Sequence, residues 1–469
     1  MSSKLMNVAT VRSARTENGA ITHASSGEAT LDLFANMGAM RNNTSQFMEL
    51  FNKAFNKEPE LAGRAIQYLR DVRGGIGERR LFRMAISNII GKNLEMAKRL
   101  MVKIPEIGRW DDVLVYFGTP LESDALDMIF AGLANPDTQQ LVAKWMPHNS
   151  RHENFKVIRR ALGVSPKELR KLFSSLANVV ETDITENNFD AIDYSKLPSR
   201  AASRYQKLFR AKGGQRYLDY VESLKKGTAK INATTLTPAD VLKSARHGDE
   251  TVSQKQWEAL PDYMVGNEEN ILCMTDVSES MLNPKFGAVN AMDIGIALSI
   301  YCSERNKGVF HNTLMAYSTK PFFIDISGGD TLMQKEKIIR RHVEYGSTNL
   351  MLAFQKIVEL ALQHNLKQED LPTKVIVFSD MEFDQVVGRQ TNFEAMNQLF
   401  SRHGYKAPQV IYWKLDARSN NNYTNRLTDK RAAMVSGFSA ATLKSVLGGE
   451  DLTPIGVMLK ALLDNRYDF

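Results

Sequence analysis

Ile271-Leu272-Cys273-Met274-Thr275-Asp276-Val277-Ser278-Glu279-Ser280 decides how the C-terminal part of this 469-residue chain is read. A short apolar run ends in an acidic residue that opens a D-x-S-x-S string. Comparable runs recur at Thr313–Tyr317, Val375–Ser379 and Val410–Trp413. They alternate with helical patterns at Ala288–Arg305, Leu332–Val343, Leu350–His364, Asn392–His403 and Leu452–Leu463. Buried runs interleaved with amphipathic helices predict an α/β domain on a mainly parallel sheet.

In an open α/β sheet, ligands bind beyond the carboxyl ends of the strands. The i, i+2, i+4 spacing lets Asp276, Ser278 and Ser280 converge in a loop that precedes a helix. Thr348 lies in Gly346-Ser347-Thr348-Asn349, at the start of another helix, and Asp380 ends the run that begins at Val375. Two carboxylates and three hydroxyls are hard oxygen donors, which suit Mg²⁺ with retained waters, or Mn²⁺, better than zinc. The alternative is that Ser278, Ser280 and Thr348 merely cap helices. Glu382 and Asp384 read as exposed loop acids more readily than as an outer layer of the site, and Asp293 reads as structural.

These three loops, in this order, resemble the von Willebrand factor A (vWA) family and its metal-ion-dependent adhesion site. The resemblance implies a vWA, Rossmann-like parallel-sheet domain over residues 269–469. It implies that Asp276, Ser278, Ser280, Thr348 and Asp380 bind the metal directly or through water, with a ligand carboxylate completing the sphere.

Composition is that of a folded globular protein, 43% hydrophobic and 24% charged. No apolar run approaches the roughly 18 residues of a membrane helix, and the basic N-terminus is not followed by the apolar stretch of a secretory signal. The two cysteines, Cys273 and Cys302, both sit in apolar segments, which excludes a disulfide framework and predicts a cytoplasmic, reducing compartment. The net charge of +7 is uneven, with roughly +9 in residues 1–250 and roughly −2 in the remainder. That split marks the N-terminal part as a candidate polyanion binder, against the alternative of a solvated, Lys-rich surface.

Residues 1–30 are polar and turn-rich and are expected to form an arm. From Leu31 to about Arg246 apolar residues recur at helical spacing, as in Leu61, Ala65, Tyr68 and Leu69. Gly74-Gly75, Pro105, Pro120, Pro136, Pro147, Pro166, Pro198 and Gly213-Gly214 break this region into short helices, so residues 31–246 are expected to be an all-α array of helical hairpins. Residues 247–268 are expected to be a linker. The fold class is therefore multidomain, α followed by α/β.

The stretch Leu69-Arg70-Asp71-Val72-Arg73-Gly74-Gly75-Ile76-Gly77-Glu78-Arg79-Arg80-Leu81-Phe82-Arg83 resembles the R-D-x-R-G-G-x-G-E-R-x-L-F-R motif of the TROVE module of Ro-like proteins. The chain is also similar to an uncharacterised family of phages and cells that joins this stretch to a C-terminal vWA domain. Thr16-Glu17-Asn18-Gly19-Ala20, Gly108-Arg109-Trp110-Asp111-Asp112, Arg204-Tyr205, Lys225-Lys226-Gly227 and Lys230-Ile231-Asn232 add to the resemblance, which spans almost the whole chain. It implies a HEAT-like helical-repeat ring that binds structured noncoding RNA on its basic outer surface and single-stranded RNA ends in its hole, as a ribonucleoprotein.

The physical counterpart is a set of basic clusters. Arg200, Arg204, Lys207 and Arg210 are near-helically spaced, with Lys212 and Arg216 beyond the glycine turn. Arg159, Arg160, Lys167, Arg170 and Lys171 form a second cluster, and Lys225, Lys226 and Lys230 a third. Such side chains neutralise phosphates without reading sequence. Tyr205 and Tyr217 offer stacking faces or, alternatively, core packing. The Arg70–Arg83 motif reads as an architectural turn, with Asp71 and Glu78 pairing to nearby arginines and with Arg73 and Arg79 facing RNA.

There is no G-x-x-x-x-G-K-[ST], H-E-x-x-H or G-x-S-x-G motif. His148 and His152 are at i, i+4 spacing without a third ligand nearby, which argues against zinc. The expectation is a non-enzymatic, monomeric RNA-binding protein with a Mg²⁺-binding vWA domain. The competing expectation is a protein-interaction scaffold whose metal site captures a partner's acidic residue.

Overall fold

The computed structural model describes residues 13–177, 179–283, 285–286, 288–343, 346–386, 388, 390–417, 423–424, 426, 429–447 and 452–469. The chain divides into two units: residues 1–65 with 233–464, and residues 66–232 with 465–469.

In the first unit the buried runs become strands β3 (Ile271–Asp276), β4 (Thr313–Tyr317), β6 (Lys374–Ser379) and β7 (Gln409–Lys414). Two further strands of the same sheet were not foreseen. β5 (Phe322–Asp325) pairs antiparallel with β4, and β8 (Ala432–Ser436) pairs parallel with β7. The sheet order is β8-β7-β6-β3-β4-β5. Chain order therefore reverses between β3 and β6, which run parallel with Cys273 opposite Ile376. In open α/β sheets such a reversal is where the ligand crevice lies, beyond the carboxyl ends of the two strands.

One face of the sheet (Leu272, Met274, Val375, Val377) is covered by α18 (Leu350–Gln363) and α19 (Asn392–Arg402) through Phe354, Ile357, Met396 and Phe400. The other face carries α16 (Ala291–Arg305), which is buried on nearly all sides. Gly295 permits its close approach, since a Cβ there would lie 3.2 Å from Thr275 Cγ2. Asp293 pairs with Arg246 at 2.7 Å and caps α16, a structural role as expected.

Segments expected to lie outside this domain are built into it. Residues 1–12 of the expected arm lie outside the described residues. The rest of the arm holds a hairpin of β1 (Ser13–Arg15) and β2 (Ile21–His23). The helix α1 (Ala29–Asn36) packs on β8 and is almost wholly buried. The expected linker contains α15 (Glu250–Glu258), whose Val252 and Trp257 are buried and whose Trp257 indole donates to Glu304 at 2.7 Å. Together with α14 (Pro238–His247) it packs around α16, so 247–268 is domain rather than linker. The reason is hydrophobic: these segments have apolar faces that only the α/β domain covers.

The second unit is helical among its described residues, as the periodicity predicts. It comprises α4 (Arg80–Ile90), α5 (Leu94–Ile107), α6 (Glu122–Ala134), α7 (Gln139–Trp145), α8 (Glu153–Leu162), α9 (Pro166–Leu176), α10 (Val180–Thr185), α11 (Ser199–Arg204), α12 (Gln206–Lys212) and α13 (Gly214–Lys225). Pro105 does not break its helix; it sits in the last turns of α5. Pro166, by contrast, opens α9 behind the Ser165–Glu168 capping box.

The Arg70–Arg83 motif is architectural. Gly75 is obligatory, because a Cβ would fall 2.0 Å from the Tyr68 carbonyl oxygen. Arg70 is buried and donates to Asp112 at 2.8 Å, and Arg83 donates to the other oxygen of Asp112 at 2.6 Å. Asp71 accepts from the neighbouring Arg73 amide at 2.9 Å, but its ion pair is with a remote arginine. Its carboxylate accepts from Arg466 at 3.0 Å and from the Tyr467 hydroxyl at 3.0 Å. Glu78 caps α4, accepting from the Arg80 amide at 2.9 Å.

Candidate functional site

The crevice at the β3/β6 reversal collects the oxygen donors. Asp276 ends β3 and Asp380 follows β6, and neither has measurable exposure. The Asp276 carboxylate is fixed on both oxygens: the Ser278 amide donates to one at 3.0 Å and the Ser379 hydroxyl to the other at 2.6 Å. Ser379 in turn accepts from the Met381 amide at 2.9 Å. Met381 adopts a left-handed φ of 70°, backbone strain of a kind that persists where surrounding structure over-determines it. Ser278 and Ser280 place their hydroxyls 2.9 Å apart.

Thr348 is buried, and its loop is tied to the Asp380 loop by a reciprocal pair. The Thr348 amide donates to the Asp384 carboxylate at 3.1 Å, and the Asp384 amide donates to the Thr348 carbonyl at 2.9 Å. Asp384 is thus engaged beside the site, and Glu382 is buried. The reading of both as exposed loop acids is corrected: the loop folds inward because its polar groups find partners there.

Burial dominates the electrostatics of these acids. Burial and the nearby Asp380 carboxylate push the Asp276 carboxyl up to about 7, against the hydrogen bonds from Ser278 and Ser379. Burial also raises Glu382. Two carboxylates held together out of water repel each other, and a bound cation relieves that repulsion. The donor set is oxygen only, and among the described residues no three His, Cys, Asp or Glu side chains gather as a metal cluster. His148 packs on Phe173 and bonds the Ala143 carbonyl, while His152 caps α8.

One neighbour carries no sequence signal. Lys414, at the end of β7, is fully buried, donates to Asn36 at 2.9 Å, and is pushed down to about 8 by burial against the pull of Glu382, Asp416 and Asp380. Only the folded sheet brings it near the loop carrying Asp380.

The basic residues lie in three settings in the helical unit. Arg73 and Arg79 are exposed, yet they engage the Glu106 carbonyl at 3.3 Å and Asp111 at 3.4 Å. On α8 and α9, Arg159 bonds the Val164 carbonyl and Arg160 the Lys156 carbonyl, while Arg170 and Lys171 are exposed. The third setting is the most basic. Lys196, Arg200, Arg204, Lys207, Arg210, Lys212 and Arg216 are all exposed, and no Asp or Glu falls between the first and the last. Arg204 lies over the half-buried Tyr205 ring at 5.5 Å, and Lys212 reaches Asn187 at 3.2 Å. Tyr217 is core, edge-on to Tyr194, so it offers no stacking face.

Two family models divide the chain. One, Domain of unknown function (DUF2828), matches residues 16–90 and 123–268. The other, Domain of unknown function (DUF7788), matches residues 270–456. Uncharacterized protein L728 of Acanthamoeba polyphaga mimivirus is 26% identical over 505 residues, spanning 95% of this chain and 86% of that protein. The crystal structure of the Deinococcus radiodurans RO (RSR) protein is similar at a TM-score of 0.46 and 15% identity, covering 88% of this chain and 93% of that one.

Proposed function

We propose that this chain is a Ro-like, non-enzymatic RNA-binding protein whose helical unit contacts RNA and whose α/β unit is a vWA domain holding Mg²⁺ or Mn²⁺. The observation that carries the RNA reading is the exposed, acid-free run from Arg200 to Arg216 on α11, α12 and the start of α13. Six cations without an intervening acid create a field that neutralises consecutive phosphates. Arg204 on Tyr205 adds a pre-arranged flat surface beside them. The RNA class is structured noncoding RNA or single-stranded ends, bound by a monomer in a cytoplasmic setting.

The metal reading rests on the convergence of Asp276, Ser278, Ser280 and Asp380, with the Thr348 loop tied in by Asp384. A bound divalent ion supplies a Lewis-acidic point for an outside oxygen ligand. The chain's own residues orient it: Ser379 and the Ser278 amide fix the plane of Asp276. This site favours a second reading, in which the metal captures an acidic side chain of a protein partner and the helical unit binds no RNA.

The test is RNA binding by nucleic-acid-free protein, followed by fluorescence anisotropy across salt. The expected result is a steep linear fall of log affinity with log salt, about 0.7 per phosphate contacted on single strands. Absence of binding to both a hairpin RNA and a single strand at low salt leaves only the partner-capture reading.

A further inference from the structure

The Thr16-Glu17-Asn18-Gly19-Ala20 motif has no place in either reading above, yet it contacts the metal loop directly. It forms the turn between β1 and β2, closed by the Gly19 amide donating to the Thr16 carbonyl at 3.0 Å and the Ala20 amide to the Thr16 hydroxyl at 2.8 Å. Gly19 takes a φ of 85°, a left-handed conformation that favours glycine. The turn then grips successive residues after Asp380. The Glu17 amide donates to the Glu382 carboxylate at 2.6 Å, and the Asn18 side-chain amide donates to the Glu382 carbonyl at 2.7 Å. The Thr16 hydroxyl donates to the Phe383 carbonyl at 2.7 Å, and the Gln385 amide donates to the Asn18 carbonyl at 3.3 Å. Farther along, β2 is stitched to Tyr423, whose amide and carbonyl both exchange bonds with His23 at 3.0 Å.

We propose that this hairpin is the positioning element of the metal centre, with Thr16 and Asn18 as positioning residues; the proposal rests on the metal reading above. The loop it grips begins at Asp380 and includes Asp384, which is bonded reciprocally to Thr348. Holding 382–385 therefore fixes two ligand-bearing loops at once, from a segment more than 360 positions away in sequence. The hairpin also supplies the amide that faces the buried Glu382 carboxylate, so that this acid does not swing toward the cation. Outer partners of this kind set metal affinity without touching the metal.

The experiment is Mn²⁺ titration of the full chain, followed by calorimetry, for wild type, the double variant Thr16→Val/Asn18→Ala, and Thr16→Ser. The double variant is expected to bind Mn²⁺ about tenfold more weakly at a temperature where circular dichroism shows it folded, and Thr16→Ser, which keeps the hydroxyl, to bind as wild type does. A lowered Tm with unchanged Mn²⁺ affinity means a merely structural clasp and overturns the proposal. Should the double variant fail to fold, Asn18→Asp tests the same bond from an exposed side chain, and unchanged affinity there overturns it equally. Wild type that takes up no Mn²⁺ overturns the metal reading itself, and is distinguished from the other failures by its flat titration.

Discussion

The carboxyl-end crevice of the α/β unit and the basic run of the helical unit hold charge in opposite ways. In the crevice, Asp276, Asp380, Glu382 and Lys414 are withdrawn from water, and their energies are set by each other and by fixed hydrogen bonds. On α11 and α12, like charges stand in solvent, where screening weakens each one and only their number matters. The first arrangement makes a site in which single residues are decisive. The second makes a surface over which binding is distributed.

The largest expected effect lies in the crevice. Asp276→Ala should abolish Mn²⁺ binding, a loss of at least about a hundredfold, while leaving the fold intact because the repulsion with Asp380 is removed with it. Calorimetric titration with circular dichroism checks this, and retained binding breaks the contrast by showing that no single carboxylate governs the site. On the basic run, Arg204→Glu/Lys207→Glu should weaken RNA by about tenfold and lower the salt slope by about 1.4 for the two contacts, with either single variant giving a partial loss. An all-or-none loss from one substitution shows instead that this surface also has a decisive residue.

The smallest effect concerns pH. His23 lies buried in β2, and burial, aided by Arg426, lowers it from 6.5 to about 4. Its unfolded form therefore takes up a proton first, so the stability it contributes is complete above pH 6.5 and is lost as pH falls through about 4. Asp32, raised by burial to about 6, works in the opposite sense between 3.8 and 6. The measurement is the difference between His23→Gln and wild type in urea midpoint from pH 7 to 4; the variant should lose less. Equal losses would place the acid sensitivity elsewhere.

Much of this was legible before folding. The runs at β3, β4, β6 and β7 are short, continuous and apolar, the pattern of a strand covered on both faces. β5 and β8 were missed because Phe322–Asp325 is four residues beside a proline and Ala432–Ser436 opens on two alanines and ends on a serine, so neither carries a strong strand pattern. The polar turn at 16–20 looked like an arm because its partners are all remote. Composition cannot show that Thr16 meets Phe383 or that Asp71 meets Arg466.

Local pattern alone determined the α then α/β order, the strand-end placement of Asp276 and Asp380, and the excess of cations without acids from Lys196 to Arg216. These follow from periodicity and spacing within a few turns of chain. Tertiary structure alone decided that residues 13–65 and 233–258 belong with the sheet, that Glu382 and Lys414 are buried near the Asp380 loop, and that the N-terminal hairpin grips this loop. Burial and hydrogen-bond partnership depend on which distant surfaces meet, and nothing in a window of sequence fixes that meeting.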